Sequence, residues 1–247
     1  RSHYERAIAL MTEALGSSHP DLALARFNLG NLLAKEGELS EASEHFEAVL
    51  KQWQASLGAA HPHVAIVLNS LGNIAFERGE LKLAKDRYEQ ALQIRRSNSG
   101  PEHPNVTYPM SNIGSVLLAQ GQLDAALEIH REVLRIRQTA LGGEHVDTAA
   151  TLHNIGDVLR EQGRCAEAIE QEMAALRIVD TALGDESLVA IPTLVGLARC
   201  SIAIHDVSQA AQYATRALAI GEAHDAPPQE LADAQRAPAD ALLLSDP

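Results

Sequence analysis

Five glycines constrain this chain more than any other feature. They stand at 16, 58, 100, 142 and 184, each 42 residues after the last, inside the phrases LGSSHP, LGAAHP, SGPEHP, LGGEHV and LGDESL. A second glycine series (30, 72, 114, 156) and a third (37, 79, 121, 163) keep the same step and end in register at Ala198 and His205. Alanines at 42, 84, 126, 168 and 210 keep it too. Four series sharing one period without an insertion mark an array of structural repeats.

Each repeat reads as two helices. Leu22, Ala25, Leu29, Leu32 and Leu33 form an apolar stripe at helical spacing, after a His-Pro that suits a first helical turn. Gly37 stops that helix as a glycine just past a helix end does. Leu39, Ala42, Phe46, Val49 and Leu50 resume the period until Gly58. No run alternates with period two, and no Asn-Gly or Asp-Gly hairpin turn occurs. Gly30 and Ala42 are expected where the two helices cross, small so that the backbones approach closely. One hairpin cannot bury its apolar face alone, whereas stacked hairpins can. An all-α solenoid of antiparallel helix hairpins follows.

The registered set Leu29-Gly30, Leu33, Gly37, Ala42, Phe46 and Val49, repeated as Leu71-Gly72, Ala75, Gly79, Ala84, Tyr88 and Ala91, resembles the tetratricopeptide repeat. That repeat usually runs about 34 residues. The longer period here is similar to the elongated variant of kinesin light chains and many bacterial proteins, as in ALQIRRSNSGPEHP (91–104) and VDTAATLHNIGDVLREQGRCAEAIE (146–170). The resemblance implies a right-handed superhelix over residues 1 to about 225. In this register 1–15 is the second helix of a truncated unit, with Tyr4 aligned on Phe46, and Arg1 suggests an excised fragment. Full units span 16–57, 58–99, 100–141, 142–183 and 184–225, and a closing helix is expected within 226–247, about 228–244, broken or kinked at Pro238. Pro109 and Pro192 predict a late start or a bend in two first helices.

Stacked hairpins line their concave face with the first helices. In the first unit that face carries Leu24, Phe27, Asn28, Asn31 and Lys35, and in the second Ile66, Asn69, Ser70, Asn73 and Glu77. The third unit presents Tyr108, Ser111, Asn112, Ser115 and Ala119. The fourth presents Ala150, His153, Asn154, Asp157, Arg160 and Glu161, and the fifth Val195, Gly196 and Arg199. Asparagine is a mediocre helix former, yet Asn28, Asn112 and Asn154 share one register position and Asn31 and Asn73 another. An amide offers a donor and an acceptor together, which suits a peptide main chain of any sequence. The family resemblance implies the same use of groove asparagines. Structural bridging between helices is the competing reading. The chaperone-binding subtype, which clamps a terminal carboxylate with lysines and an arginine, is set aside: its slots hold Phe27, Tyr108 and Asn112, and only Asn31 fits.

Catalysis is not expected from this segment. The loop histidines His19, His61, His103 and His145 repeat one helix spacing apart, about 8–10 Å. Zinc needs each nitrogen at about 2.0–2.1 Å. No metal and no cofactor is therefore expected, and the histidines are assigned to hydrogen-bonding the following helix start. His153 and Asp157, four apart with Arg160 and Glu161 beside them, form the best acid–base constellation, but without a positioned nucleophile they read as a solvated pair. Cys165 and Cys200 read as inert packing.

A net charge of −13 without a basic patch excludes nucleic acid as the main partner. No apolar run approaches a membrane span. Two cysteines without a CxxC suggest a cytoplasmic setting. The chain is accordingly read as a peptide- or protein-binding scaffold, monomer favoured. Two alternatives stand beside it: the tetratricopeptide tail of a bacterial serine/threonine kinase, suggested by ELADAQRAPADALLLSDP, and a self-assembly module.

Overall fold

The computed structural model describes residues 1–16, 19–224 and 235–236. Of the expected closing helix only Gln235 and Arg236 are described, both helical, and Pro238 lies outside the described residues. The chain gathers into two compact units, Arg1–Gln120 and Gly121 onward. The first holds α1 (Ser2–Leu15), α2 (Pro20–Lys35), α3 (Leu39–Leu57), α4 (Pro62–Glu77), α5 (Leu81–Ser99) and α6 (Thr107–Ala119). The second holds α7 (Leu123–Leu141), α8 (Val146–Glu161), α9 (Cys165–Leu183), α10 (Ile191–Ala203) and α11 (Val207–Ala223). No strand occurs among the described residues.

The three glycine series have three different jobs. Gly37, at φ 81°, closes α2: its N–H donates to the Ala34 carbonyl at 3.1 Å and that of Glu38 to Leu33 at 2.9 Å. This double bond pattern satisfies carbonyls that the helix end would orphan, and it needs a left-handed residue. Gly79 and Gly163 repeat it, and His205 is forced into the same conformation at φ 63°. Gly58 ends α3 at φ 90° and ψ 152°, backbone that a side chain would strain.

Gly30 differs from expectation in what it accommodates. An added Cβ would lie 2.7 Å from the Phe46 ring, and at Gly72 it would lie 2.5 Å from the Tyr88 ring. The glycine thus opens room for one large residue of the second helix, rather than for Ala42 alone. Where that residue shrinks to Ala214, the glycine position becomes Ala198, and the two alanines pack together, both fully buried. Interiors keep close packing by such trades.

The loop histidines act as expected. The Nδ1 of His61 accepts from the His63 N–H at 3.2 Å, and His19, His103 and His145 accept equivalently from Asp21, Asn105 and Asp147 at 3.3, 3.1 and 3.1 Å. They are helix N-caps, satisfying one of the first unpaired N–H groups. Ser187, a common cap residue, does the same for Val189 at 3.3 Å. The prolines delay two helices. Short 3₁₀ turns at Pro104–Val106 and Leu188–Ala190 precede α6 and α10, which run 13 residues where α2, α4 and α8 run 16. An α-helix begun at 104 would set the Pro109 ring against a carbonyl one turn back, and starting at Thr107 avoids this.

Unit one is centred on Phe46, Trp53, Leu29, Leu33, Val49 and Leu68, with Phe27 against Phe46 and Trp53 at ring separations of 5.5 and 5.7 Å. Unit two is centred on Leu152, Ile178, Val179, Leu194, Leu197 and Ile220. Its later hairpins are α8 with α9 and α10 with α11.

Candidate functional site

In unit one the polar residues of the first helices converge. The Asn112 amide on α6 donates to Asn69 Oδ1 at 3.1 Å and Asn73 Oδ1 at 3.3 Å on α4. The Tyr88 hydroxyl on α5 donates to the same Asn73 oxygen at 2.8 Å. Burial and the charge of Glu77 push the Tyr88 hydroxyl above its usual range, so it remains a donor. Both lone pairs of the Asn73 oxygen and both amide hydrogens of Asn112 are thereby occupied, which sets the rotation of all three amides. These bonds bridge α4 to α5 and to α6, as the structural reading of the asparagines expected, while the Nδ2 groups of Asn69 and Asn73 and the Oδ1 of Asn112 have no hydrogen-bond partner among the described residues. Asn28 and Asn31, both half-buried on α2, have no hydrogen-bond partner among the described residues.

Beside this ladder runs an apolar rail. Leu24, Ile66 and Tyr108 occupy one register position in successive first helices and are 54%, 36% and 45% exposed. Lys35 is exposed at the end of α2. Two expected groove residues lie deeper: Phe27 is engaged with Phe46 and Trp53, and Ser111 is buried. Ser115 is half-buried, its hydroxyl donating to the Ser111 carbonyl at 3.3 Å.

Unit two carries a different chemistry at the same register. His153 does pair with Asp157, Nε2 to Oδ2 at 3.5 Å, and Asp157 accepts from Arg160 at 2.5 Å. The main partner of His153, however, is Glu172 on α9, whose two carboxylate oxygens both lie 3.0 Å from Nδ1. The expected solvated pair is thus a partly buried network reaching a carboxylate that is 1% exposed. Glu172 stands where the other repeats place Phe46 and Tyr88. Gly156 and Gly196 make room for it: an added Cβ would meet its Oε1 at 2.7 and 2.5 Å. Gly196, which interrupts the asparagine series in the fifth repeat, is explained by this contact.

Burial pushes the Glu172 carboxyl up to about 7, against the hydrogen bond and charge of His153. Burial alone would lower the His153 pKa, but the hydrogen bond and charge of Glu172, with Asp157 behind them, raise it above its ordinary value. His130 occupies the Glu172 register position on α7. It is 1% exposed, Nδ1 finds no partner among the described residues, and burial lowers its pKa to about 4. Donor atoms of His153, Asp157 and Glu172 lie within 4.8 Å of one another. The imidazole turns a different nitrogen to each carboxylate, so it bridges them instead of converging with them on one point. The three side chains form one hydrogen-bonded ion network. Glu172 was legible only by register, as a carboxylate in an aromatic's place.

Next to His153 a cavity of about 500 Å³ opens between α8 and α10, lined by Ala150, Val179, Leu188, Val189 and Pro192 among others. Asn154 and Arg199 have interactions within the protein. Arg160 is held by Asp157 and Glu161.

The repeated helix hairpin, its glycine-for-aromatic packing and its capped loops define a helical-repeat scaffold. The tetratricopeptide-repeat family model matches residues 1–51, 27–97 and 105–181, and the chain belongs to that family. No curated protein matches the sequence significantly. Among solved structures, a protein of Podosopora anserina assigned to the kinesin light chains, with nearly identical TPR-like repeats, is 23% identical. Its TM-score is 0.64, covering 82% of this chain and 96% of that one. BtubC (BKLC) from P. vanneervenii is 21% identical with a TM-score of 0.70, covering 91% and 89%. The apo form of RapI is 16% identical with a TM-score of 0.67, covering 82% and 71%. These likenesses establish the fold. No helix among the described residues is long and apolar enough to cross a membrane.

Proposed function

We propose that the first-helix face of this protein binds an extended peptide segment of a partner protein, recognised by its main chain through Asn69, Asn73 and Asn112. The single observation that carries this reading is the oriented amide ladder. Tyr88 and the cross-helix bonds fix which end of each amide points inward. The face then offers two N–H₂ donors and one carbonyl acceptor, the complement of a peptide C=O and N–H. Pre-set polar groups cost little further ordering on binding.

Within unit one, Asn28 and Asn31 extend the polar line by register, with Lys35 and Glu77 giving mixed charge. In unit two, Asn154 takes the equivalent register position beside Arg160, Arg199, Asp157 and Glu161. Leu24, Ile66 and Tyr108 supply apolar contact that a partner's side chains would cover. The cavity beside His153 offers a second place for an apolar side chain. A family member acting as a binding scaffold needs no catalytic group. The test is a peptide library panned against the protein, with selected peptides re-measured on Asn73→Ala and Asn112→Ala variants. Affinity losses of about tenfold or more per variant, on the scale of lost buried hydrogen bonds, support the reading, and unchanged affinities remove it.

A further inference from the structure

The chain has two cysteines, and both lie in unit two, on helices that pack together. Cys165 opens α9 and Cys200 lies in α10, and the Cys200 thiol has Cys165 as its hydrogen-bonding neighbour. A buried side chain touches about 6–12 others. A second cysteine placed at random among 247 residues would fall in that set about one time in thirty. The register sharpens the coincidence. Position 165 is Leu39, Leu81, Leu123 and Val207 in the other repeats, and position 200 is Leu32, Ile74, Val116 and Val158. Apolar residues fill every equivalent place, and the two exchanges to cysteine occur together at one contact.

The pair is reachable from one side. Cys165 is 8% exposed and lines a cavity of about 450 Å³ together with Arg160, Arg164 and Ile204, whereas Cys200 is 1% exposed. A low-molecular-weight disulfide entering that cavity would meet the Arg164–Glu167 ion pair, the Arg160 guanidinium held by Asp157, and the Cys165 sulfur.

We propose that Cys165 and Cys200 form a dithiol modification site, oxidised to an intramolecular disulfide by a low-molecular-weight disulfide of the glutathione class. The Cys165 thiolate attacks one sulfur of oxidised glutathione, forming a mixed disulfide and expelling one glutathione thiolate. Cys200 then loses its proton to solvent and attacks the Cys165 sulfur. The protein disulfide forms and the second glutathione leaves. Two protein thiols are oxidised and one small disulfide is reduced to two thiols, so the electrons balance. Burial, with the hydrogen bond to Cys165, pushes the Cys200 thiol up to about 12, which makes the second step the slow one and speeds it as pH rises. The product ties α9 to α10, joining the fourth repeat to the fifth.

The test uses the whole chain. The reduced protein is incubated with oxidised glutathione at pH 8, unfolded, alkylated and weighed. The expected product has no alkylatable thiol, a mass about 2 Da below the reduced chain, and a Tm higher by about 5–10 °C, all reversed by dithiothreitol. Cys200→Ser is expected to stop at a single glutathionyl adduct on Cys165. Two thiols still open to alkylation in the wild type, two glutathionyl adducts, or a disulfide-linked dimer in place of the internal bond would each overturn the proposal.

Discussion

Replacing Glu172 by glutamine keeps the shape of the side chain between Gly156 and Gly196 and removes its charge, so it isolates what the buried carboxylate does. In the folded protein burial raises the carboxyl from 4.5 to about 7. Between those values the folded chain holds a proton that the unfolded chain has released, so stability falls as pH rises through that window. At about 1.4 kcal/mol per pH unit, the interval amounts to about 3 kcal/mol. His153 has the same sign. Its folded pKa is raised, so its contribution is full below the ordinary histidine value and lost as pH climbs through the raised one. His130 has the opposite sign, because burial lowers it to about 4 and stability rises with pH between there and 6.5. Taking the difference between wild type and Glu172→Gln cancels His130, which both share. Urea unfolding followed by far-ultraviolet circular dichroism at pH 5, 6, 7 and 8 measures that difference. The variant is expected to gain about 2.5 kcal/mol on the wild type between pH 5 and 8 from the carboxyl alone, and His153, which loses its Glu172 partner in the variant, adds in the same direction. A difference that stays flat to within about 0.5 kcal/mol, or shifts toward the wild type, would refute the assignment of Glu172 as a proton-holding buried acid.

Other outcomes follow from particular contacts. Gly72→Ala puts a Cβ 2.5 Å from the Tyr88 ring, and is expected to cost about 1–3 kcal/mol by overpacking, read from urea unfolding followed through Trp53 fluorescence. His205→Gly relieves a side chain held at φ 63°, and is expected to stabilise by about 1 kcal/mol, seen as a raised Tm. His61→Ala removes the N-cap bond to His63 and should cost about 1 kcal/mol. His61→Ser should restore most of it, as Ser187 caps the fifth repeat natively.

The frame of the fold was legible because its determinants are local and periodic. Helix stops at Gly37 and Gly79, the cap at His61 and the late starts before Pro109 and Pro192 each depend on one residue and its neighbours. What a glycine faces is not local. Gly30 opens onto Phe46 and Gly196 onto Glu172, contacts between residues 16 and 24 positions apart that register suggests only when the second helices are aligned as carefully as the first. The same limit explains the candidate site. The asparagines were visible by register, but their mutual bonds depend on the distance between α4 and α6 and on a tyrosine reaching over from α5. His153 was matched with Asp157 on its own helix, four residues away, and its stronger partner sits on the next one.

The asparagine face is proposed to read a peptide main chain. The most direct measurement of this is isothermal titration of one library-selected peptide against the wild type, Asn73→Ala with Asn112→Ala, and a control such as Lys82→Ala with Lys85→Ala on the second helix α5. A loss of about a hundredfold is expected for the asparagine pair, on the scale of two to three lost hydrogen bonds, with the melting curve still cooperative and the control unchanged. Equal affinity for wild type and the asparagine pair, or a loss confined to the α5 control, would contradict the proposal.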